Sequence, residues 1–232
     1  MLATYAAGET GARAAARAGA SVVVVDAYRA STTIAVLISK GARVLPVASI
    51  EEAAAARADY RIGERGSAKV KGFDFGNSPT EIQTADIVPG ATVALSTTSG
   101  TRIVEAARGA PAILAGAFVN AHAVADRLAA DESGSRVVIV GCGWRGRRAS
   151  EDESAAGAIL SRLRERGAGL DERAERGVDQ YRRRSERSLR NNSAARRLMR
   201  LGYEHDLDIC LALNAVPVSP RLLDGVFMDS GG

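Results

Sequence analysis

The most constraining feature of this chain is the run Ser21-Val-Val-Val-Val-Asp26-Ala-Tyr-Arg29-Ala-Ser31-Thr32-Thr33-Ile-Ala-Val-Leu-Ile-Ser-Lys40. Four consecutive valines are β-branched and apolar on both faces, which suits a strand covered from both sides, as in a parallel sheet. The strand ends at an acid, Asp26. A short polar turn with Arg29 and three hydroxyl residues follows, and the apolar stretch through Ile38 reads as a helix closed by Gly41. In an open α/β sheet, ligands bind at the carboxyl ends of the strands, and the free N–H groups of a helix start favour an anion. An acid beside such a cradle repels a phosphate unless a cation stands between them, so the run itself asks for a divalent cation.

The rest of the chain repeats the alternation of strand and helix expected of an α/β sheet. Residues Met1 to Gly19 read as an amphipathic helix, or a short strand and helix, with Arg13 and Arg17 on a solvated face. Arg43 to Val47 is a second strand, and Ser49-Ile-Glu51-Glu52 caps an alanine-rich helix reaching about Ala58. Arg61 to Pro79 shows neither period and reads as a long functional loop, pinned to the body by Phe73 and Phe75 around Asp74. Ala91 to Ser96 is a strand, Thr97-Thr98-Ser99-Gly100-Thr101-Arg102 a hydroxyl-rich turn, and Ile103 to Arg108 a helix. Two hydroxyl turns with an arginine each, on neighbouring parallel strands, would face one crevice and form an anion site.

Pro111 to Gly116 and Arg136 to Val140 read as two more strands, with Asn120 or a residue beside it capping a helix through Val124 and Leu128. Gly141-Cys142-Gly143-Trp144-Arg145-Gly146 has the spacing of a dinucleotide fingerprint. That fingerprint needs an immediate helix and an acid ending a second strand roughly twenty residues on, so these glycines are read as a tight turn. Glu151-Asp152-Glu153 then open a helix through Leu160. The helix dipole accounts for acids at this place, and magnesium at the mouth of an anion site is the functional account of one of them.

The net charge of +4 raises the question of a polyanionic partner. Its cations are concentrated in the Arg-rich helical segment 161–200, the stretch most open to flexibility, where Tyr181 is the one aromatic. The lack of stacking aromatics argues against nucleic acid. Asn191-Asn192-Ser193 reads there as a break and cap, with Leu189, Leu198 and Met199 on a buried side. His205 to Leu213 is a short apolar element stopped at Val216-Pro217, and Cys210 is a packing residue. Two cysteines, Cys142 and Cys210, suit a reduced cytoplasmic protein. No window approaches the ~18 apolar residues of a spanning helix, so no membrane partner is expected.

Asp26-Ala-Tyr-Arg29-Ala-Ser31-Thr32-Thr33, Gly63-Glu64-Arg65-Gly66, Gly72-Phe73-Asp74-Phe75-Gly76-Asn77-Ser78-Pro79, Thr97 to Arg102, and Glu151-Asp152-Glu153 with Ala156-Gly157 occur in this order. The set resembles the 2-phosphosulfolactate phosphatase family, magnesium-dependent phosphatases of coenzyme M biosynthesis. The likeness runs to about Leu160, with an echo at Asp208-Ile-Cys210 and Val216-Pro217. The chain departs from the family pattern at Ser99, where Asn is usual, and at Gly141-Cys142-Gly143, which stands where the family has Cys-Ala-Gly.

The resemblance implies a three-layer α/β/α protein with a largely parallel or mixed central sheet. It would form one domain over residues 1–232, with two closely packed α/β halves as the open variant, and would assemble as a homodimer. It also implies Mg2+ as cofactor and a small anionic phosphomonoester, 2-phospho-3-sulfolactate, as substrate. On this reading Asp26, Arg29 and Asp74 are catalytic, and Asp26, Glu64 and Asp152 bind the metal. Ser31, Thr32, Arg65, Asn77, Ser78, Thr97, Thr98 and Arg102 contact the substrate. With no P-loop and no Asp-x-Asp after the first strand, water is favoured over Asp26 as the nucleophile. A phosphatase for another phosphorylated 2-hydroxy acid, and a non-catalytic anion-binding protein, are the alternatives.

Overall fold

The structure, a computed structural model, describes residues 1–131 and 135–230. The chain opens with β1 (Leu2–Ala7), α1 (Gly8–Arg17), β2 (Ser21–Val25), α2 (Ala30–Ser39), β3 (Arg43–Pro46), α3 (Ile50–Ala55), β4 (Tyr60–Arg65) and β5 (Ala68–Lys69). It continues through α4 (Pro79–Thr84), β6 (Thr92–Ser96), α5 (Gly100–Ala106), β7 (Ile113–Gly116), a 3-10 turn at Phe118–Asn120, α6 (Ala121–Ala130) and β8 (Arg136–Gly141). The remainder is α7 (Ser150–Glu165), β9 (Gly169–Leu170), α8 (Glu172–Arg183), α9 (Glu186–Arg190), α10 (Ser193–Arg200), α11 (Asp206–Cys210), β10 (Pro220–Leu223) and β11 (Val226–Asp229).

The valine run behaves as its composition requires. All five residues of β2 are buried, and it pairs in parallel with β7 on one side and β8 on the other. Val22 and Val24 pack against Ala12 and Ala15 of α1, Ile34 and Leu37 of α2, and Ile103 and Val104 of α5. Val23 and Val25 face Val124 of α6, Ile159 of α7 and Val178 of α8. Because alternate side chains leave a strand on opposite faces, this division gives the three-layer α/β/α arrangement. Full burial of one such side chain contributes about 1.5–3 kcal/mol.

Helix α2 is buried from Ala30 to Ile38 on all its faces. Its end is closed as the sequence indicates: Gly41 takes φ +80°, its N–H donates to Ile38 O at 2.9 Å, and Ala42 N donates to Leu37 O at 3.1 Å. These are the paired bonds of a Schellman motif, which needs a left-handed residue at the glycine position.

All the strands belong to one sheet, ordered β5-β4-β6-β3-β11-β10-β7-β2-β8-β1-β9. Two parallel blocks, β4-β6-β3 and β7-β2-β8-β1-β9, are joined by the antiparallel hairpin β10–β11. The two hydroxyl turns therefore do not sit on neighbouring strands, since β3, β11, β10 and β7 lie between β6 and β2. The hairpin follows the expected stop at Val216-Pro217, and its turn residues Asp224 and Gly225 have φ +50° and +85°. An Asp-Gly pair of this kind selects a two-residue hairpin, a signal the sequence reading passed over. Phe227 on β11 is wholly buried.

Other boundaries also moved. The helix after Ser49 ends at Ala55, and the stretch expected to be a loop contains β4, parallel to β6 and turning into β5. Asn120 does not cap α6 with its side chain: its Oδ1 accepts from Ala117 N and its amide nitrogen donates to Ala115 O and Val218 O. In segment 161–200, helix α7 runs on to Glu165 and α8, α9 and α10 follow. Leu189 and Leu198 are buried, whereas Met199 is exposed because it lies off the face that Leu198 presents. Gly157 of α7 is where α8 crosses, and a Cβ there would stand 2.4 Å from Gly177 O. Both cysteines are free and buried. Among the described residues no helix is long and apolar enough to cross a membrane.

Candidate active site

The parallel strands β2 and β8 end beside each other, with Val25 paired to Gly141, and the loops beyond them close the floor of a polar cleft. Asp152, in the first turn of α7, fastens that floor: Oδ1 accepts from Ala27 N at 2.9 Å and Oδ2 from Gly143 N at 2.8 Å. The glycine at 143 is required, since it takes φ +67° and a Cβ would fall 2.3 Å from Arg147 O. The hydroxyls after Asp26 shape the turn itself. Ser31 Oγ accepts from Asp26 N and donates to Val24 O, each at 3.0 Å, while Thr32 Oγ1 donates to Ala27 O at 3.0 Å.

Four carboxylates meet in the cleft: Asp26, Glu64, Glu151 and Asp152. Glu64 arrives at the end of β4. Its Oε1 accepts from Thr98 Oγ1 at 2.9 Å and from Ser67 N. Glu151 Oε2 accepts from Asn192 Nδ2 at 2.8 Å. Asp26 has little support, since Ala30 N donates to its Oδ1 only at 3.4 Å. Burial, reinforced by Glu64, pushes the Asp26 carboxyl up to about 7. Burial likewise raises Asp152, with Asp26 and Glu151 adding to it, and burial raises Glu151. Glu153 lies outside this cleft and pairs with Arg148.

Of the two arginines in the cleft, Arg29 is committed elsewhere. Arg29, almost wholly buried, places Nη1 2.6 Å from Asp206 Oδ2 and donates from Nη2 to Ser67 O at 2.7 Å, with its guanidinium 4.3 Å over the Tyr203 ring. Asp206 also accepts from Ser78 Oγ at 2.6 Å and Thr80 N at 3.1 Å. Arg197 is the cation that faces the acids. It donates to Ser67 Oγ at 2.9 Å and lies 4.2 Å over the Trp144 ring, and burial lowers its pKa. Asn77 lines the cleft, and its Oδ1 is buried without a hydrogen-bond partner.

The expected residues therefore divide into groups. Asp26, Arg29, Glu64, Asn77, Thr98 and Asp152 come together at the cleft. Ser31, Thr32 and Thr97 support its turns, with Thr97 Oγ1 accepting from Thr101 N. Ser78 holds Asp206, and Arg65 donates to Ser96 Oγ at 3.0 Å behind the wall. Asp74 is exposed outside the cleft, where Oδ2 accepts from Arg61 N at 2.7 Å and pins the loop to β4. Arg102 lines an adjoining cleft. Sequence reasoning passed over Ser67, Trp144, Arg197 and Asp206. Arg197 was one arginine among many, and only the docking of α10 brings it to the acids.

Hard carboxylate oxygens and the open amide oxygen of Asn77 form a donor set suited to magnesium. Among the described residues no group of three or more acid, histidine or cysteine side chains is gathered tightly enough to ligate an ion by itself. Asp26 is the acid with the least hydrogen-bond support, and Glu64 and Asp152 lie beside it in the cleft.

A family model described as 2-phosphosulpholactate phosphatase matches residues 9–225. A protein of Thermotoga petrophila named "Probable 2-phosphosulfolactate phosphatase" is 38% identical over 212 residues, covering 90% of this chain and 91% of that one. One of the same name from Gloeobacter violaceus is 39% identical over 208 residues, 86% of each chain. A third, from Parasynechococcus marenigrum, is 39% identical over 214 residues, 86% of this chain and 88% of its own.

Proposed function

The chain belongs to the 2-phosphosulpholactate phosphatase family, and from that premise we propose that it hydrolyses 2-phospho-3-sulfolactate to 3-sulfolactate and phosphate with magnesium as cofactor. The observation that carries the magnesium requirement is the crowding of Asp26, Glu64, Glu151 and Asp152 around a cleft whose Arg29 is already paired with Asp206. With Arg197 the cation that faces them, these acids once ionised would repel a phosphomonoester, which supports a divalent cation between them and the substrate.

Magnesium bound by Asp26, with Glu64 or Asp152, would neutralise the charge that gathers on the phosphoryl oxygens. Arg197 supplies a guanidinium to the same oxygens and is held for it by Ser67 and the Trp144 face. Asn77 and the Thr98 hydroxyl orient the ester. Arg29 holds the end of β2, the loop at Ser67 and helix α11 in register, so it positions the acids rather than touching phosphate. Glu151 Oε1 receives the proton of the attacking water: burial has raised its pKa, and its other oxygen is fixed by Asn192. The leaving alkoxide takes up one proton, so the net reaction consumes one water. Two buried free thiols support work in the reducing cytoplasm, and a homodimer completes the reading.

The test is phosphate release from a panel of phosphorylated 2-hydroxy acids, with and without magnesium. Fastest turnover of 2-phospho-3-sulfolactate, lost on chelation, is the expected result. Faster turnover of another member moves the substrate, and no release from any member overturns the reading.

A further inference from the structure

A second cleft opens beside the four acids and shares Thr98 and Ser99 with their wall. Its other sides are the start of α1, Arg102 of α5, and Arg145 in the turn after β8. The start of α1 carries no side-chain cap on its free N–H groups, so their positive ends also favour an anion nearby. The one acid of this lining, Glu9, is joined to Arg13 at 2.8 Å. Arg102 and Arg145, both exposed, form no ion pair with any described residue. The surplus charge of this cleft is thus positive, against the surplus of acid next door.

The position of Arg145 is built. Trp144 N donates to Arg147 O at 2.9 Å and Arg147 N to Trp144 O at 3.0 Å, enclosing Arg145 and Gly146 at φ +49° and +74°. Such two-residue turns favour Asn or Gly at the first place, and a left-handed arginine is disfavoured. Its guanidinium lies 4.4 Å over the ring of Trp144, the ring that also carries Arg197 at 4.2 Å. One indole therefore presents one arginine to the acid cleft and another to the neighbouring cleft.

We infer that this second cleft is the subsite for the other acid group of the substrate, its sulfonate or carboxylate, with Arg145 and Arg102 as the specificity-determining pair. The inference rests on the phosphatase reading above. A phosphomonoester with a second acid group a few bonds from phosphorus would reach across Thr98 and Ser99, its phosphate among the acids and metal and its other anion between the two guanidiniums. Arg suits either group because its planar fork donates two parallel hydrogen bonds.

The test compares Arg145→Asn and Arg102→Gln with the wild type on 2-phospho-3-sulfolactate, 2-phospholactate and phenyl phosphate, all with magnesium. Asn suits the left-handed turn, so the first variant keeps the loop. Loss of one charge-assisted bond predicts a KM for 2-phospho-3-sulfolactate raised about tenfold to a hundredfold, with kcat changed less and phenyl phosphate affected by a much smaller factor. An equal loss on 2-phospholactate assigns the cleft to the carboxylate, and a loss confined to the sulfonated ester assigns it to the sulfonate. Equal effects of each variant on all three esters, or unchanged KM values, overturn the subsite while leaving the phosphatase intact. No phosphate release by the wild type overturns the phosphatase reading, and the subsite with it.

Discussion

Arg29 and Asp206 form a buried ion pair, Nη1 to Oδ2 2.6 Å, across 177 positions of sequence. Through it the turn from β2 to α2, the Ser67 loop and helix α11 are held as one unit, because Asp206 also receives Ser78 and Thr80. Removing one partner strands the other charge in a dry site. Asp206→Ala is expected to cost about 3–5 kcal/mol in urea unfolding and to lower kcat through displaced acids. An unfolding midpoint within error of the wild type would show that the pair is dispensable.

Asp26→Asn is expected to abolish magnesium-dependent phosphate release while the far-ultraviolet circular dichroism stays native. The amide keeps the shape and removes a carboxylate that burial disfavours, so the metal-free variant should melt no lower than the wild type at pH 8. Wild-type turnover in this variant would remove Asp26 from the mechanism.

The raised pKa of Asp26, about 7 against an ordinary 3.8, makes metal-free stability fall as pH rises through that window. The native state holds a proton there that the unfolded state has released, so its contribution is complete below about 4 and lost above about 7. Magnesium needs the ionised form. Its stabilising effect, read as the rise in Tm on adding magnesium, should therefore be larger at pH 8 than at pH 6. Equal shifts at the two pH values would exclude Asp26 as the titrating ligand.

Gly157 lets α8 lie against α7, where an added Cβ would meet Gly177 O at 2.4 Å and Tyr181 Cβ at 2.6 Å. Gly157→Ala should cost about 1–3 kcal/mol by overpacking and loosen α8 from the body, seen as faster amide exchange over 172–183. Unchanged exchange would mean that the two helices part without strain.

The sequence by itself determined the local units and one wall of the site. Valines at 22 to 25 dictate a strand covered on both faces, Gly41 dictates the end of α2, and Asp26 lies at the carboxyl end of β2 because the apolar run stops there. These are short-range consequences of side-chain shape and backbone freedom. What only the tertiary structure decided is which distant residues share that end of the sheet. No local period tells Arg197 from the other arginines around it, or marks Asp206 rather than Asp208 as the partner of Arg29. Asp74, bracketed by two phenylalanines, was legible as an anchored acid, yet it is turned away to hold Arg61 N. The hairpin β10–β11 enters between two parallel blocks, so strand order runs far from sequence order. Long-range contacts are chosen by the joint packing of all the elements. The charge balance of the cleft, four acids with Arg29 already paired, is a property of that packing.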